Sequence, residues 1–410
     1  MKNSQAERSP SLLTDARFLR FWAGSSISVI GNQVTILALP WLVLQLTHSP
    51  FQLGIVGALE FIPFLLFGLI VGVYADRWDR RTILLVADLV RFIVLASVPL
   101  AALLQVLTLV QLYLVAFIAG TARVWFEVGH YSMIPTLVGP ARVIEANSSL
   151  EVTEGVASLV GPSLGGLLIK VFGAANALLA DALSFLLAAV AWLSLGSMPR
   201  ERPAEAGWRA QLVAGLRYVG HDRVLLENML AAFALNAFYA AITTVFVFYS
   251  QHELHFDAAR TGLVLGLAGI GPIAVAAVAP ALRRRWRLGQ LLVGELLATG
   301  PLLGLLDIAP QLPAVPAFLL VALSLALAFG VAILGRIVFR SYVQAMVPPA
   351  LLARVNATLR VVAWAGVPFG AILGGTVTQL IGVRWLIALV SGAAVVLFGA
   401  FAVSSETKRI

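Results

Sequence analysis

Residues 72–81 read GVYADRWDRR and place five charged side chains between two strongly apolar stretches. Of the 410 residues in the chain, 60% are hydrophobic and 12% are charged, and the mean hydropathy is +0.94. A soluble domain has about a quarter charged residues and slightly under half apolar residues. The chain is therefore expected to be a polytopic membrane protein, in which this charged stretch forms a tight turn outside the bilayer.

Twelve apolar runs are long enough to cross a membrane, since a transmembrane helix needs about 20 mostly apolar residues. They lie at 18–46, 51–75, 82–104, 109–133, 145–170, 174–196, 224–250, 259–282, 287–308, 315–340, 355–381 and 383–404. The first run is too long for a cleavable signal peptide and lacks a small-residue cleavage site, so we expect it to be retained. The pattern predicts an all-α membrane protein with twelve transmembrane helices in two pseudo-symmetric six-helix bundles.

The positions of the basic residues predict the topology. The formal net charge of +8 is compatible with a nucleic-acid ligand. With a cytoplasmic N-terminus, however, the arginines and lysines outside the spans fall on the cytoplasmic side, except Lys170, Arg260 and Arg384. This positive-inside pattern predicts a multi-pass protein of the bacterial inner (plasma) membrane with both termini in the cytoplasm. It argues against nucleic acid as a partner, and we expect a monomer.

A polar segment at 197–222 divides the chain into two halves. We expect an N-terminal six-helix bundle at 1–196, a cytoplasmic linker at 197–222 and a C-terminal six-helix bundle at 223–410. The halves repeat at an offset of 209 residues, which aligns Asn147, Leu150, Gly161, Leu164, Gly165, Gly166 and Gly173 with Asn356, Leu359, Gly370, Leu373, Gly374, Gly375 and Gly382. Transporters with six-helix repeats bind their substrate between the halves, so this repeat indicates alternating access.

Small residues recur every fourth position in predicted spans 5 and 11, and Pro162 and Gly166 stand beside them. The two stripes are Ala157, Gly161 and Gly165, and Gly366, Gly370 and Gly374. Such spacing lets two helix backbones approach closely. The stripes indicate either ordinary helix packing or sliding contacts between the halves, with a kink at Pro162.

Two motifs resemble signatures of the major facilitator superfamily. The loop signature G-x-L-A-D-R-x-G-R-R is matched by Gly72, Ala75, Asp76, Arg77, Arg80 and Arg81, and GPSLGG at 161–166 is similar to the helix 5 signature G-x-x-x-G-P-x-x-G-G. Tyr74, Asp79 and Ala157 depart from the two patterns. Segments 27–54 and 181–185 resemble the branch of macrolide-efflux and enterobactin-exporter proteins. The resemblance implies a secondary exporter, and its helix 5 signature is associated with proton antiport.

Asp76 is expected to act as a latch at the cytoplasmic end of span 2. A carboxylate there is stabilised by the positive N-terminal end of a facing helix, and the resemblance implies that this helix is span 11. Arg77, Arg80 and Arg81 would supply competing partners. An aspartate that only caps the loop is the alternative.

Three carboxylates inside the predicted spans lack an opposite charge three or four residues away: Glu60, Glu154 and Asp181. Ionisable groups within a membrane are costly and need a partner or a task, so these three are candidates for carrying protons. Asp181 lies near the outer end of its span, where it could equally cap the helix or be hydrated. Asp88 and Arg91 are expected to form a structural pair within one helix.

Aligning the halves at 132–135 and 345–348 sets Arg123 and Glu127 of span 4 on Arg336 and Arg340 of span 10. The span 5 and span 11 repeat likewise sets Glu151 on Arg360. We expect Glu127 to meet Arg340 across the halves when the cytoplasmic side is closed, with Glu151 and Arg360 nearby. Pairing of Glu127 with Arg123 one turn away is the alternative.

Other features narrow the function without naming the substrate. Some aromatic residues could line an apolar substrate cavity, with lipid-facing or packing positions as the alternative: Trp125, Phe126, Phe238, Tyr239 and Trp364. The chain has no cysteine and no ATP-binding loop, and HELH at 252–255 with Asp257 lacks metal-site spacing, so we expect no cofactor and no metal. No catalytic constellation is present. We predict a proton antiporter that exports a small amphipathic compound; a metabolite uniporter or importer and a membrane receptor without transport activity are the alternatives.

Overall fold

The computed structural model describes residues 12–75, 78–196 and 208–407. Its α-helices are α1 (Ala16–Thr47), α2 (Pro50–Ala75), α3 (Arg80–Leu103), α4 (Leu109–Val138), α5 (Val143–Phe172), α6 (Ala174–Leu193), α7 (Trp208–His221), α8 (Arg223–His252), α9 (Ala258–Ala268), α10 (Ile270–Arg285), α11 (Leu288–Ile308), α12 (Ala314–Met346), α13 (Pro349–Ile381) and α14 (Val383–Ser404). Within the described chain, twelve spans are long and apolar enough to cross a membrane. The predicted all-α fold with twelve spans is confirmed.

The helices map onto the predicted spans with one interruption. Helices α1 to α6 form the first six spans, and α8 to α14 form the other six, because α9 and α10 together make span 8. The polar segment between the halves contains the short helix α7. The interruption falls at Gly269, where the backbone approaches Ser158 of α5 closely.

Short caps and glycine turns fix where the helices begin and end. Asp15 caps α1 by accepting from the backbone N–H groups of Arg17 and Phe18. Gly173 and Gly382 have φ of 83° and 96°, a left-handed region that glycine adopts without steric cost. These two glycines occupy matching positions in the repeat and make the tight turns from α5 to α6 and from α13 to α14, so the two halves turn in the same way.

Each half is a bundle with its own apolar packing. In the first half, α1 packs on α5 and α6, α3 packs on α4 and α6, and α2 packs on α4. In the second, α8 packs on α13, α11 packs on α12 and α14, and α10 packs on α12. Large apolar side chains such as Leu103, Val110 and Val396 remain exposed. Exposed apolar side chains on long helices are expected where the solvent is lipid.

The halves meet mainly through two helix pairs, α2 with α13 and α5 with α9. We call the face with the turns at 48–49, 173 and 382 the outer face, and the opposite face, where α1 begins and α14 ends, the inner face. The described glycine contacts between the halves lie mainly towards the outer face. Gly54 of α2 lies against the backbone of Gly375 in α13, and Gly166 of α5 lies against the backbone of Gly262 in α9.

Most of the predicted small-residue stripes pack within one half. Gly161 and Gly165 lie against Gln33 and Val34 of α1, and Ala157 is fully buried. In the other half, Gly366, Gly370 and Gly374 lie against the backbone of α8 at Phe233, Ala237 and Ala241. The interpretation of these stripes as sliding contacts between the halves is therefore wrong. A step of one residue turns about 100° around a helix, which puts the neighbouring Gly166 and Gly375 on the faces that meet the other half.

Candidate functional site

A cavity of about 100 Å³ lies inside the N-terminal bundle. Its charged lining consists of five side chains contributed by α2 to α6: Glu60, Arg91, Arg123, Glu154 and Asp181. The three carboxylates singled out from the sequence therefore face one space. Three acidic and two basic side chains thus line one cavity inside the N-terminal bundle.

Asp181 is completely buried in α6. Thr35 of α1 donates a hydrogen bond to its carboxylate, and the Ser184 hydroxyl donates a second at 3.1 Å. The alternative that Asp181 only caps its helix is wrong, because it lies about two turns inside α6 and its carboxylate accepts from two side chains. Helix α1 covers the site closely, and a Cβ built on Gly31 would lie 2.5 Å from an Asp181 oxygen.

Arg91 lies next to Asp181, paired with Asp88 as the sequence predicted. The indole N–H of Trp192 donates to Asp88 over 2.6 Å. The guanidinium of Arg91 lies between the rings of Phe126 and Phe185, with its Cζ 4.4 and 4.1 Å from their centroids. Arg91 is only 2% exposed, and its Nε and Nη1 make no hydrogen bond within the described structure. These two donors are available to water or anionic groups in the cavity.

Arg123 connects the cavity to the interface between the halves. Its guanidinium lies 3.6 Å from Glu60 and 3.2 Å from Glu127, and Glu127 lies 2.9 Å from Arg360 of α13. The expectation that Glu60 has no charged partner holds only along its own helix, since its partner comes from α4. The four side chains form a continuous line of alternating charge from α2 to the C-terminal half.

Glu127 reaches across the halves to Arg360 and not to Arg340. Arg340 and Glu151 are both exposed, and neither forms an ion pair with any described residue. The Glu127–Arg340 contact, which was expected for a closed cytoplasmic side, is not formed in this arrangement, while the local pair with Arg123 is. The reason lies in the packing, because α13 lies in the interface against α2, beside which α4 packs.

Residues 9–408 match the model of a protein family that is described as transmembrane secretion effector. This family belongs to the major facilitator superfamily. The chain belongs to this family of transporters. The multidrug efflux pump Tap of Mycolicibacterium fortuitum is 27% identical over 365 residues, covering 86% of this chain and 87% of Tap. The enterobactin exporter EntS of Citrobacter koseri is 26% identical over 381 residues, covering 89% of this chain and 86% of EntS.

Solved transporters share the fold. The nucleoside transporter NupG superposes with a TM-score of 0.77 at 16% identity, covering 95% of this chain and 98% of NupG. A bacterial homologue of the iron transporter ferroportin, solved in an inward-facing state, gives 0.76 at 16% identity, covering 94% and 98%. Membership of this transporter family, and not the structural likeness, makes the chain a multi-pass efflux transporter of small molecules rather than an enzyme, as the sequence predicted.

Trp364 is the predicted cavity aromatic that lies between the halves of this transporter. Its ring centroid is 5.8 Å from Phe61 and 5.2 Å from Phe64, and Arg360 lies 5.6 Å from it. Neither phenylalanine was among the residues predicted from the sequence. Their spacing of three positions in α2 was the available signal, and their proximity to Trp364 depends on the packing of α2 on α13.

The other four aromatic candidates are engaged in packing, which corrects their assignment to a substrate cavity. Phe126 is buried beside Trp192, and Phe238 packs on Phe398. The Tyr239 hydroxyl donates to the carbonyl of Ala328 over 2.6 Å. Trp125 stacks on Trp78 in the loop before α3. Since the aromatic partners of these rings are distant in sequence, side-chain type alone did not distinguish packing from a cavity.

Part of the predicted latch is not described. Asp76 and Arg77 lie outside the described residues, and the surroundings of Gly72 are likewise not described. Arg80 is buried and donates to Thr136 of α4, while Arg81 donates to the carbonyls of residues 192 and 193 at the end of α6, each over 2.8 Å. Cations at a helix C-terminus satisfy its last carbonyls. The two arginines thus tie α3 to α4 and α6 within the first bundle.

Polar contacts join the halves at the outer face. Lys170 at the end of α5 lies 2.8 Å from Asp257, and Ser49 donates to Gln379 over 2.7 Å. Asp257 also caps α9 through the backbone N–H of Arg260. Within the described residues no cluster of three or more histidines and carboxylates is placed to hold a metal ion. Asp257 therefore has a structural task that its position near HELH did not reveal.

Proposed function

We propose that this transporter exports small amphipathic compounds in exchange for protons, and that Glu60, Glu154 and Asp181 carry the protons. The observation that carries the proposal is their convergence on one cavity in the membrane interior together with Arg91 and Arg123. Relatives over most of the chain are a multidrug efflux pump and an enterobactin exporter. We therefore infer a drug-like or siderophore-like substrate.

The size of the cavity supports a role in proton movement more than in substrate binding. Its volume of about 100 Å³ is enough for several water molecules, since one water needs at least about 10 to 15 Å³ of cavity volume. Pockets for drug-sized ligands are typically about 300 to 1,000 Å³. Water in this space can connect the carboxylates with one another, and the free nitrogens of Arg91 can orient it.

Each carboxylate has a distinct environment, which suits a relay. Asp181 is held by two hydroxyl donors, Glu60 is balanced by Arg123, and Glu154 forms no ion pair among the described residues. Arg123 also reaches Glu127, which in turn reaches the second half through Arg360. Protonation of Glu60 would weaken its hold on Arg123 and so alter the contact between the halves. This is the route by which a bound proton would favour one arrangement of the halves.

We also propose alternating access, and the way in which the halves meet supports it. We infer that 1–196 and 223–410 move as bodies joined by the linker at 197–222, and that the described arrangement is closed at the outer face. The close backbone contacts at Gly54, Gly166 and the Lys170–Asp257 pair support this. Substrate would enter from the inner face between α2 and α13, where Trp364 and two phenylalanines offer an apolar surface.

The test is transport in proteoliposomes by variants that keep side-chain shape and remove the acid. Glu60→Gln, Glu154→Gln and Asp181→Asn should abolish substrate accumulation driven by a pH gradient, while substrate exchange without a gradient persists. Glu151→Gln is the matched control, because Glu151 lies one turn from Glu154 in α5 but is not part of the cavity lining. A triple variant that accumulates substrate against its gradient at the wild-type rate would exclude the assignment.

A further inference from the structure

A buried carboxylate in the C-terminal half has no role in the cavity described above. Glu295 lies in the first half of α11, is 6% exposed, and is not part of that cavity. Its carboxyl group lies against Gly335 of α12, where a Cβ built on the glycine would overlap it. Glycine at this position therefore makes the room in which the carboxyl group sits.

Glu295 is unpaired within the described structure. None of the described side chains forms an ion pair or a hydrogen bond with its carboxyl group. From α12, Arg336 acts on it through its charge without lying within 4.0 Å. From α8, Tyr239 is the titratable neighbour, and its hydroxyl donates to Ala328 instead. Helix α14 contributes the apolar residues Ala394 and Phe398 to the cluster around the adjacent Leu296.

The internal repeat explains why the partner is missing. LLVADL at 84–89 aligns with LLVGEL at 291–296, which sets Asp88 on Glu295. In the first half Asp88 is satisfied by Arg91 and by the indole N–H of Trp192. The same alignment replaces Arg91 by Ala298, and the offset of 209 residues replaces Trp192 by Phe401.

Neither replacement can neutralise a carboxylate, since alanine and phenylalanine have no polar side-chain atom. The second half thus keeps the acid of the repeat and lacks both groups that satisfy it in the first. An ionised carboxylate without a partner is strongly disfavoured in a membrane interior, whereas the protonated acid is tolerated. If the carboxyl group of Glu295 had no function, an apolar residue could replace it at little cost to packing.

We propose that Glu295 is a second proton-binding site of this transporter, located in the C-terminal half. Its carboxyl group holds a proton in the described, outer-closed arrangement. Movement of α11 against α12 would bring the carboxyl group towards Arg336 or water, and the proton would then leave. The proposal deepens the proposed proton exchange and rests on it for its place in the transport cycle, but the protonated state of Glu295 can be measured without transport.

The experiment is infrared difference spectroscopy of the purified protein in lipid, titrated with acid and base. Wild type should show at neutral pH the carbonyl band of a protonated carboxylic acid, and Glu295→Gln should lose the equivalent of one such group per chain. Glu151→Gln is the control, because that residue is exposed and its removal should leave the band unchanged. Ala298→Arg restores the partner of the first half and should also remove the band by pairing with an ionised Glu295.

Two results would overturn the proposal. One is a Glu295→Gln difference spectrum at neutral pH that shows loss of an ionised carboxylate. The other is an unchanged number of protons released per substrate bound in Glu295→Gln, measured with a pH indicator in weak buffer. Failure of the proposed antiport is recognised separately, since wild-type protein would then release no protons upon binding substrate, whatever the infrared band shows.

Discussion

Gly375→Ala should shift the transporter away from the outer-closed arrangement. A methyl group on Gly375 would lie 2.7 Å from the carbonyl oxygen of Pro50 and 2.9 Å from the Cα of Gly54, both in the other half. The obstacles are backbone atoms, so no side-chain rotation can relieve the overlap. Inserting a methyl group into a tight contact costs about 1 to 3 kcal/mol, which corresponds to roughly a 5- to 150-fold change in the closed-to-open ratio.

The adjacent Gly374→Ala is the matched control. A methyl group there meets the backbone of Ala241 in α8, within the same half. This variant should lower the melting temperature, because it disturbs one bundle, but it should leave the equilibrium between open and closed arrangements unchanged. Both substitutions add one methyl group to α13, but in Gly375→Ala it contacts the other half and in Gly374→Ala it contacts the same half.

Pulsed electron paramagnetic resonance between spin labels at the outer ends of α6 and α11 measures this equilibrium. The native chain has no cysteine, so labels at cysteines introduced at Asn176 and Gln311 are unambiguous. We expect a longer distance population to grow in Gly375→Ala and not in Gly374→Ala. Equal distance distributions in wild type and Gly375→Ala, with both proteins folded, would refute the claim that this contact holds the outer face closed.

Two further predictions concern the ion pairs between the halves. Lys170→Ala should reduce the closed-to-open ratio at the outer face by about 1.4- to 5-fold, since an exposed pair contributes about 0.2 to 1 kcal/mol. The same label pair measures this ratio, and no change would contradict the prediction. The hydrogen bond from Lys170 holds the pKa of the Asp257 carboxyl group below its ordinary value, so this contribution is fully present above about pH 3.9 and is lost as the pH falls through the lowered value. Glu127→Gln and Arg360→Gln should show a coupling of up to about 1 kcal/mol in a double-mutant cycle of the same equilibrium, whereas Glu127→Gln with Arg340→Gln should be additive. Additive effects for Glu127 with Arg360, together with a coupling between Glu127 and Arg340, would mean that Arg340 is the partner of Glu127.

The spans and the repeat were predictable because they depend on local composition and spacing. Twelve apolar runs and the glycine turns at Gly173 and Gly382 are visible in the sequence without knowledge of packing. The three cavity carboxylates were found for a related reason. A charged residue within an apolar run is recognisable in the sequence, whichever way its side chain points in the fold.

Partner choice was not predictable, because it depends on which helix faces meet. Glu60 lacks a partner along α2 and finds Arg123 on α4, while Glu127 finds Arg360 and not the Arg340 that the repeat suggested. Gly374 and Gly375 look equivalent in sequence, yet they face different halves. The repeat did contain one further signal, the alignment of Asp88 with Glu295, and it becomes informative once the partners of Asp88 are known.

The decisive measurement for substrate–proton exchange is proton movement by the wild-type protein during substrate transport. Protein reconstituted in liposomes with an internal pH indicator should move protons in the direction opposite to substrate when a substrate gradient is imposed, using macrolides, cationic dyes and siderophores as probes. Glu60→Gln, Glu154→Gln and Asp181→Asn together should reduce the pH change per substrate moved, leaving at most the contribution of Glu295, while gradient-driven substrate flux persists. Substrate flux in wild type without any pH change, for probes that the protein demonstrably transports, would contradict the account and indicate a uniporter.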